Sequence, residues 1–498
     1  MQYRIIVGLL VTALLTVSGC QSGSHPHSHS NSLTYSHTHT HNEADTEQKP
    51  QWLAGDHHIH SHYSVGWDKS VNPPRPILAG DAHYSTPKNA SMAARHGLDW
   101  MVTTDHGGPN HSKVNLEMAY PELKASRQAV PQVLQFYGME LDTPGARHSS
   151  LIIPHSDEEA HQLFHIEKHY NRREVLHEIT RDKESLMLEA LADMQTHTHK
   201  PVVLANHPGR TAIDLGHYTK VTPRELRDWH DTAPDIAIGM EGAPGHQANA
   251  INPDGSIDPT GIRGGYDNFP TMGGFDQMTA RLGGFWDSML GEGRRWFITA
   301  TSDSHVHYTD GRTDFWPGEY SKTYVYAKKT YESVLENLRN GRVFITTGDL
   351  IDALFVTVHN QRTGDSADIA EKITATPGDE LLLTVRFRDP DGVNFNQENP
   401  QVNRVDVIVG DITGPLADRT EDLNPTTRVL QRFYASDWQR SDDGFVTLTM
   451  PLRQLSASSY VRIRGTTNTN ELEPQIDPPG ENPWHDLWFY SNPVFIQF

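Results

Sequence analysis

Asp56-His57-His58-Ile59-His60-Ser61-His62 is the stretch whose reading decides the fold. It lies at the end of a strand-like run that begins at Trp52. Residues two apart on a strand face the same side. His58 and His60 therefore point together and can grip one metal ion, while His57 reads as a hydrogen-bonded structural histidine. Outward from this stretch, short apolar runs recur at 98–102, 133–137, 151–153, 201–205, 236–238 and 297–300. They alternate little, which suits strands of a parallel sheet covered on both faces. Helical patterns lie between them, such as 172–197 with Val175, Ile179, Leu186 and Leu191 at helical spacing. Alternating β and α units predict an α/β barrel or wound sheet.

Polar clusters sit where those strands end. After the first come Thr103-Thr104-Asp105-His106, Gly138-Met139-Glu140, Arg147-His148 opening the next strand, Asn206-His207-Pro208-Gly209, and Ser302-Asp303-Ser304-His305. In α/β barrels that edge carries the active site. One histidine there is weak evidence, and His83 and His96 read as structural. Nitrogen and carboxylate donors at successive strand ends, without thiolates, suit zinc, manganese or iron bound for hydrolysis.

The ordered set resembles the PHP (polymerase and histidinol phosphatase) superfamily. It comprises Asp56-x-His58-x-His60, Gly97-Leu98-Asp99 leading to Thr104-Asp105-His106, Gly138-x-Glu140, His148, Asn206-His207-Pro208 and Ser302-Asp303-x-His305. It covers about residues 52–348, and 341–348 looks like the segment that closes such a domain. With Glu241 and a C-terminal β-domain, the chain resembles the carbaryl-hydrolase-like branch. The resemblance implies an α/β fold: a distorted (β/α)7 barrel of PHP type at 51–349, then a C-terminal β-sandwich at 350–498. It also implies two or three divalent metal ions. His58, His60, Glu140 and Asp303 would hold the first, and Glu140 would bridge to a second on His148 and His207. His106 and His305 would hold a third. Where the family often has an acid or histidine to complete that site the chain has Val65, with His62 and Asp68 nearby.

The expected chemistry is hydrolysis by a water that bridges two cations and is deprotonated near neutral pH. Arg147 and Arg210 adjoin proposed ligands and could clamp an anionic oxygen; each could equally be a surface ion pair. His62 is a candidate acid for the leaving group. Glu241, Asp56 and Asp105 read as groups that orient ligands. The favoured reading is a phosphoesterase acting on a small, anionic ester. A carboxyl-ester, amide or carbamate hydrolase is the alternative. The third reading is a non-catalytic metal- or glycan-binding surface lipoprotein, its glycan site formed by Trp484, Trp488 and Tyr490.

The flanks supply an address. Residues 1–19 read as a signal peptide ending in Val17-Ser18-Gly19-Cys20, which resembles a bacterial lipobox, so Cys20 would carry the lipid anchor. Gln21 after it favours the outer membrane, facing the periplasm. Residues 20–50 form a polar tether with His25, His27, His29, His37, His39 and His41, a loose metal-capture tract or a plain spacer. Residues 246–275 read as a flap. Beyond about residue 350, short strands separated by turns suggest the β-sandwich. There Asp389, Asp391 and Asn394 read as a turn rather than a calcium site.

The whole chain has 498 residues, enough for two or three domains. Its net charge of −21 argues against nucleic acid as the main partner. One cysteine excludes a disulfide framework, and thirty histidines invite the metal reading.

Overall fold

The computed structural model describes residues 49–498 apart from Asp267, Gln454 and Ser456. The segments expected to form a signal peptide, a lipid anchor at Cys20 and nearly all of a tether lie outside the described residues.

A large mixed sheet organises the first part. β1 (Gln51–Ile59) runs parallel to β2 (Trp100–Thr103), and β2 to β3 (Leu134–Asp142). β3 and β4 (His148–Ile153) are antiparallel, as are β4 and β5 (Val202–Ala205). β5, β6 (Ala237–Ala243) and β7 (Phe297–Ala300) are again parallel. On its other side β1 pairs antiparallel with β8 (Ser321–Ala327), and β8 with β9 (Val343–Thr347). The all-parallel expectation fails at β3–β4 for a steric reason. A parallel crossover needs a dozen or more residues, and only 143–147 join these strands. Pro144-Gly145 turns the chain back, with Gly145 at φ 80°. The hairpin puts His148, at the start of β4, beside the end of β3. Beyond β7 the chain returns to β1: His60 N–H donates to Ser304 C=O at 2.9 Å.

The interior of the sheet is apolar, with Trp100, Val102, Phe136, Leu151, Val203 and Ile298 all buried. Each such side chain contributes roughly 1.5–3 kcal/mol on leaving water. Gly55 is obligatory, because a Cβ there would meet the Trp100 indole at 1.9 Å. Around the sheet lie α1 (Thr86–Arg95), α2 (Tyr120–Ala129), α3 (Glu159–Tyr170), α4 (Glu184–Thr196), α5 (Pro223–Thr232), α6 (Phe285–Gly291) and α7 (Tyr331–Arg339). Ser85, Thr222 and Thr330 cap α1, α5 and α7 through their hydroxyls.

The helix expected over 172–197 occupies only Glu184–Thr196. Val175 and Ile179 are exposed, so no apolar burial supports an earlier start. Arg181 instead holds that segment by donating to the carbonyls of Asn171, Lys168 and His169. The segment 246–275 is packed rather than flap-like. Buried Arg263 binds Gln247, Tyr320 and Asp486, and Asp477 accepts from Thr271, Gly273 and Gly274.

The strands after residue 350 divide between two sheets, one of them continuous with the large sheet. Ala353–Asn360, Leu381–Arg388, Phe445–Pro451 and the short Ser366–Ala367 make a separate antiparallel sheet. Arg404–Asp411, Ser459–Thr466, Trp488–Ser491 and Val494–Gln497 instead extend the large sheet, joined where β9 pairs with Trp488–Ser491. Trp484, Trp488 and Tyr490 are buried in this junction, away from any glycan. Asp389 pairs with Arg440, as a turn residue does.

Candidate metal centre

β1 delivers His58 and His60 to one side of the rim, both fully buried. Nε2 of each lies 3.1 Å from Oδ1 of Asp303, just beyond β7. The same nitrogens lie 3.2 and 3.6 Å from the carboxylate of Glu140 on β3. The other nitrogen of each ring is held. His58 Nδ1 meets Glu241 Oε1 at 2.6 Å, and His60 Nδ1 meets Ser64 Oγ at 2.8 Å. Such bonds fix the tautomer that leaves Nε2 free for a ligand.

Glu140 is the hub. Its Oε1 lies 3.0 Å from His148 Nδ1 and 3.2 Å from His207 Nε2, and its Oε2 lies 2.8 Å from His106 Nδ1. All eight sequence-predicted ligands therefore meet at this rim, His305 joining by stacking on His60 at 3.7 Å between ring centroids. Asp56 and Asp105 act as supports. Asp56 accepts from the His58 and Ser302 amides, and Asp105 from Ser61 and Ser64. Glu241 also accepts from the His207 amide at 2.7 Å. His57 faces the opposite side of β1, bonded to Ser150 and Thr299.

The electrostatics of the rim suit a bound cation. Burial opposes ionisation of Glu140, yet His148, His106 and His58 hold its carboxyl well below the usual range. Burial likewise opposes the charge on Asp303, but His58 and His246 keep it ionised. Burial, and then Arg210, drives His207 toward the neutral ring. Glu140 Oε2, His106 Nδ1 and His148 Nδ1 are buried and make no well-aligned hydrogen bond among the described residues, though they lie in ion-pair contact at 2.8 and 3.0 Å. Buried polar atoms are rarely left without aligned bonds, and divalent cations among them would satisfy all three. The triples His58–His60–Asp303, His106–Glu140–His148 and His60–His106–His305 each bring one ligand atom per residue within 4.8 Å of the others. These residues can hold metal ions.

Three residues here sit at positive φ without being glycine: His207 at 29°, His246 at 56° and Asp303 at 46°. Such conformations cost roughly 1–3 kcal/mol each and persist where surroundings impose them. Gly245 permits one of them. A Cβ there would lie 2.2 Å from Asp303 Cβ, so only glycine lets the chain pass and aim His246 inward.

Beside the cluster opens a cavity of about 250 Å³, lined by Arg147, Arg210 and Arg312 together with His106, Glu140, His148, Asp303 and His305. Arg210 reaches Asp303 Oδ2 at 3.2 Å and lies over the Tyr266 ring. Arg147 makes no ion pair among the described residues, and its Nε is buried without a partner. Burial and the neighbouring Arg210 weaken its hold on a proton.

His62 does not reach the cavity. Its Nε2 turns to Glu122 Oε2 at 3.1 Å, where Tyr63 also binds, so it ties the loop to α2. Sequence reasoning missed His246, Asp314 and Asp81. His246 Nε2 lies 3.0 Å from Asp303 and its Nδ1 2.5 Å from Asp314. Burial resists charging that ring, but the two carboxylates raise it to about 10. Asp81 Oδ2 lies 3.6 Å from His106 Nε2 and 3.5 Å from His305 Nε2. The only sequence signals were a histidine four residues after Glu241-Gly242 and an aspartate distant from the first motif.

No family model matches the chain, and no curated protein does. Five solved chains match. One is a crystal structure of Endonuclease Q complexed with a 27-mer duplex substrate bearing an abasic lesion at its active site. It is 13% identical with a TM-score of 0.30, over 59% of this chain and 56% of that one. At that score the likeness assigns no function.

Proposed function

We propose that the protein is a metal-dependent phosphoesterase of the PHP superfamily, acting on a small anionic ester. The observation that supports this most is the pairing of a buried histidine–carboxylate cluster with arginines around one small cavity. Two guanidiniums lining one cavity, one of them without a carboxylate partner among the described residues, favour a ligand that brings negative charge. On this reading β1 to β8 form a distorted (β/α)7 barrel, consistent with the contact of 302–304 with β1.

His58, His60, Glu140 and Asp303 would hold a first cation, and Glu140, His148 and His207 a second. His106 and His305 would hold a third, completed by Asp81 in place of the residue missing at Val65. When bound, such cations lower the pKa of a water and neutralise charge developing on substrate oxygens. The protein's own groups do the rest. Glu241 and Ser64 hold the rings of His58 and His60 in register. Arg147 and Arg210 bind the anionic oxygens and orient the ester. His246, held between Asp303 and Asp314 and in reach of the cavity, would pass a proton to a leaving alkoxide. This role replaces the one expected of His62. Anchored through Cys20, the enzyme would meet small esters at the bacterial envelope.

The deciding experiment assays the purified protein on nitrophenyl phosphate, bis-nitrophenyl phosphate and nitrophenyl acetate, before and after chelation. We expect chelator-sensitive turnover of the monoester above the others. Preference for the acetate would replace the proposal with a carboxyl-ester hydrolase.

A further inference from the structure

We propose that His165, Asp193 and His197 form a second site for a divalent transition cation, zinc or copper, on the outer flank of the molecule. His165 projects from α3. Asp193 lies in the last turn of α4, and His197 follows the end of that helix. Nε2 of His165 is 3.0 Å from Asp193 Oδ2, and Nε2 of His197 is 3.6 Å from the same oxygen. The three ligand atoms lie within 4.8 Å of one another. None of these residues lines the rim cavity. They precede the start of β5, whereas the rim residues Asn206 and His207 follow its end, so the two clusters lie at opposite edges of the sheet.

Three features make this more than a surface ion pair. The donors are two imidazole nitrogens and a carboxylate oxygen, a set that suits zinc, copper or nickel and not calcium or magnesium. One donor is also supported from behind. The Gln162 amide lies 2.7 Å from His197 Nδ1. Finally, the site opens on a cleft of about 500 Å³ that His161 and His199 also line, leaving room for water to complete the coordination shell. A neutral His197 binds the cation after its proton shifts from Nε2 to Nδ1, with no net release; only a ring that starts protonated gives a proton to solvent. The Gln162 amide then turns its oxygen to accept from His197 Nδ1–H and gives up its bond to the His199 carbonyl. The bound ion would cross-link α3 to the end of α4.

Because residues 25–41 carry further histidines, the test must resolve individual rings. The full-length protein, with its rim already metal-loaded, is carbethoxylated with diethylpyrocarbonate at rising zinc concentration and read by peptide mass spectrometry. We expect zinc to slow modification of His165 and His197 at least fivefold at micromolar concentration. His217, exposed and elsewhere, serves as the internal control. Asp193→Asn should abolish that protection, and His165→Ala should abolish it at His197, with hydrolytic turnover unchanged in both. Equal modification with and without zinc, or protection that survives Asp193→Asn, would overturn the proposal. Lost protection in a variant whose thermal midpoint without zinc matches the parent excludes misfolding as the cause.

Discussion

The rim and the flank of this molecule use the same donors, imidazole nitrogen and carboxylate oxygen, in different dielectric settings. At the rim His58, His60, His207, Glu140 and Asp303 are all buried. On the flank the side chains of His165, Asp193 and His197 are 45%, 27% and 18% exposed. Burial removes water as an alternative partner, so each rim group depends on its neighbours, and losing one leaves others unpaired. Exposed groups fall back on solvent. The rim also adds what the flank cleft lacks: three arginines and a histidine held between two carboxylates.

The sharpest way to break this comparison is to remove rim donors. His58→Ala and Glu140→Gln should each lower kcat/KM on the preferred nitrophenyl ester by on the order of 10³-fold, the scale of losing a group that stabilises transition-state charge. Turnover near that of the parent in both variants would remove the hydrolase reading. Glu241→Gln should be milder, weakening metal affinity by roughly 10–100-fold because it only orients His58 and His207. Metal titration of the chelated protein measures it. Arg147→Ala should raise KM by about tenfold or more, the worth of one charge-assisted hydrogen bond. An unchanged KM for the anionic monoester would place that guanidinium outside the substrate site.

His57 sharpens the contrast within β1 itself, since it shares the strand with His58 but not its role. Burial pushes its ring down to about 3 from the ordinary 6.5. Above pH 6.5 the ring is neutral both folded and unfolded. As pH falls from 6.5 toward 3 only the unfolded chain takes the proton, and the stability tied to the neutral ring is lost. His57→Gln removes this linkage. Urea unfolding of both proteins at pH 7 and pH 5 should show their stability gap narrowing, by up to about 1.4 kcal/mol per pH unit. The smallest effect belongs to the flank: Asp193→Asn should leave turnover within about twofold of the parent, as surface changes remote from a site do.

Much of the rim was legible because its ligands occupy strand ends, and a strand end is visible as an apolar run followed by polar residues. His58, Glu140, His207 and Asp303 all follow that rule. His148 was legible as a ligand but for a different reason than the fold supplies, since it opens a hairpin strand. His246 and Asp81 were not legible. Each reaches the cavity from a loop whose path depends on local packing, His246 through Gly245 beneath Asp303 and Asp81 through hydrogen bonds between 79–81 and 62–64. His62 failed for the converse reason: proximity in sequence to His60 says nothing of Glu122, which captures it.

By itself the sequence determined the alternation of strands and helices and the kind of donor at each strand end, because period and residue type are local properties. Only the tertiary structure decided which donors share one carboxylate, that the first sheet is mixed and runs on into the C-terminal strands, and that His246 stands where His62 was expected. Those outcomes depend on distances between residues far apart in the chain, and these are set by packing, loop length and competition for hydrogen-bond partners.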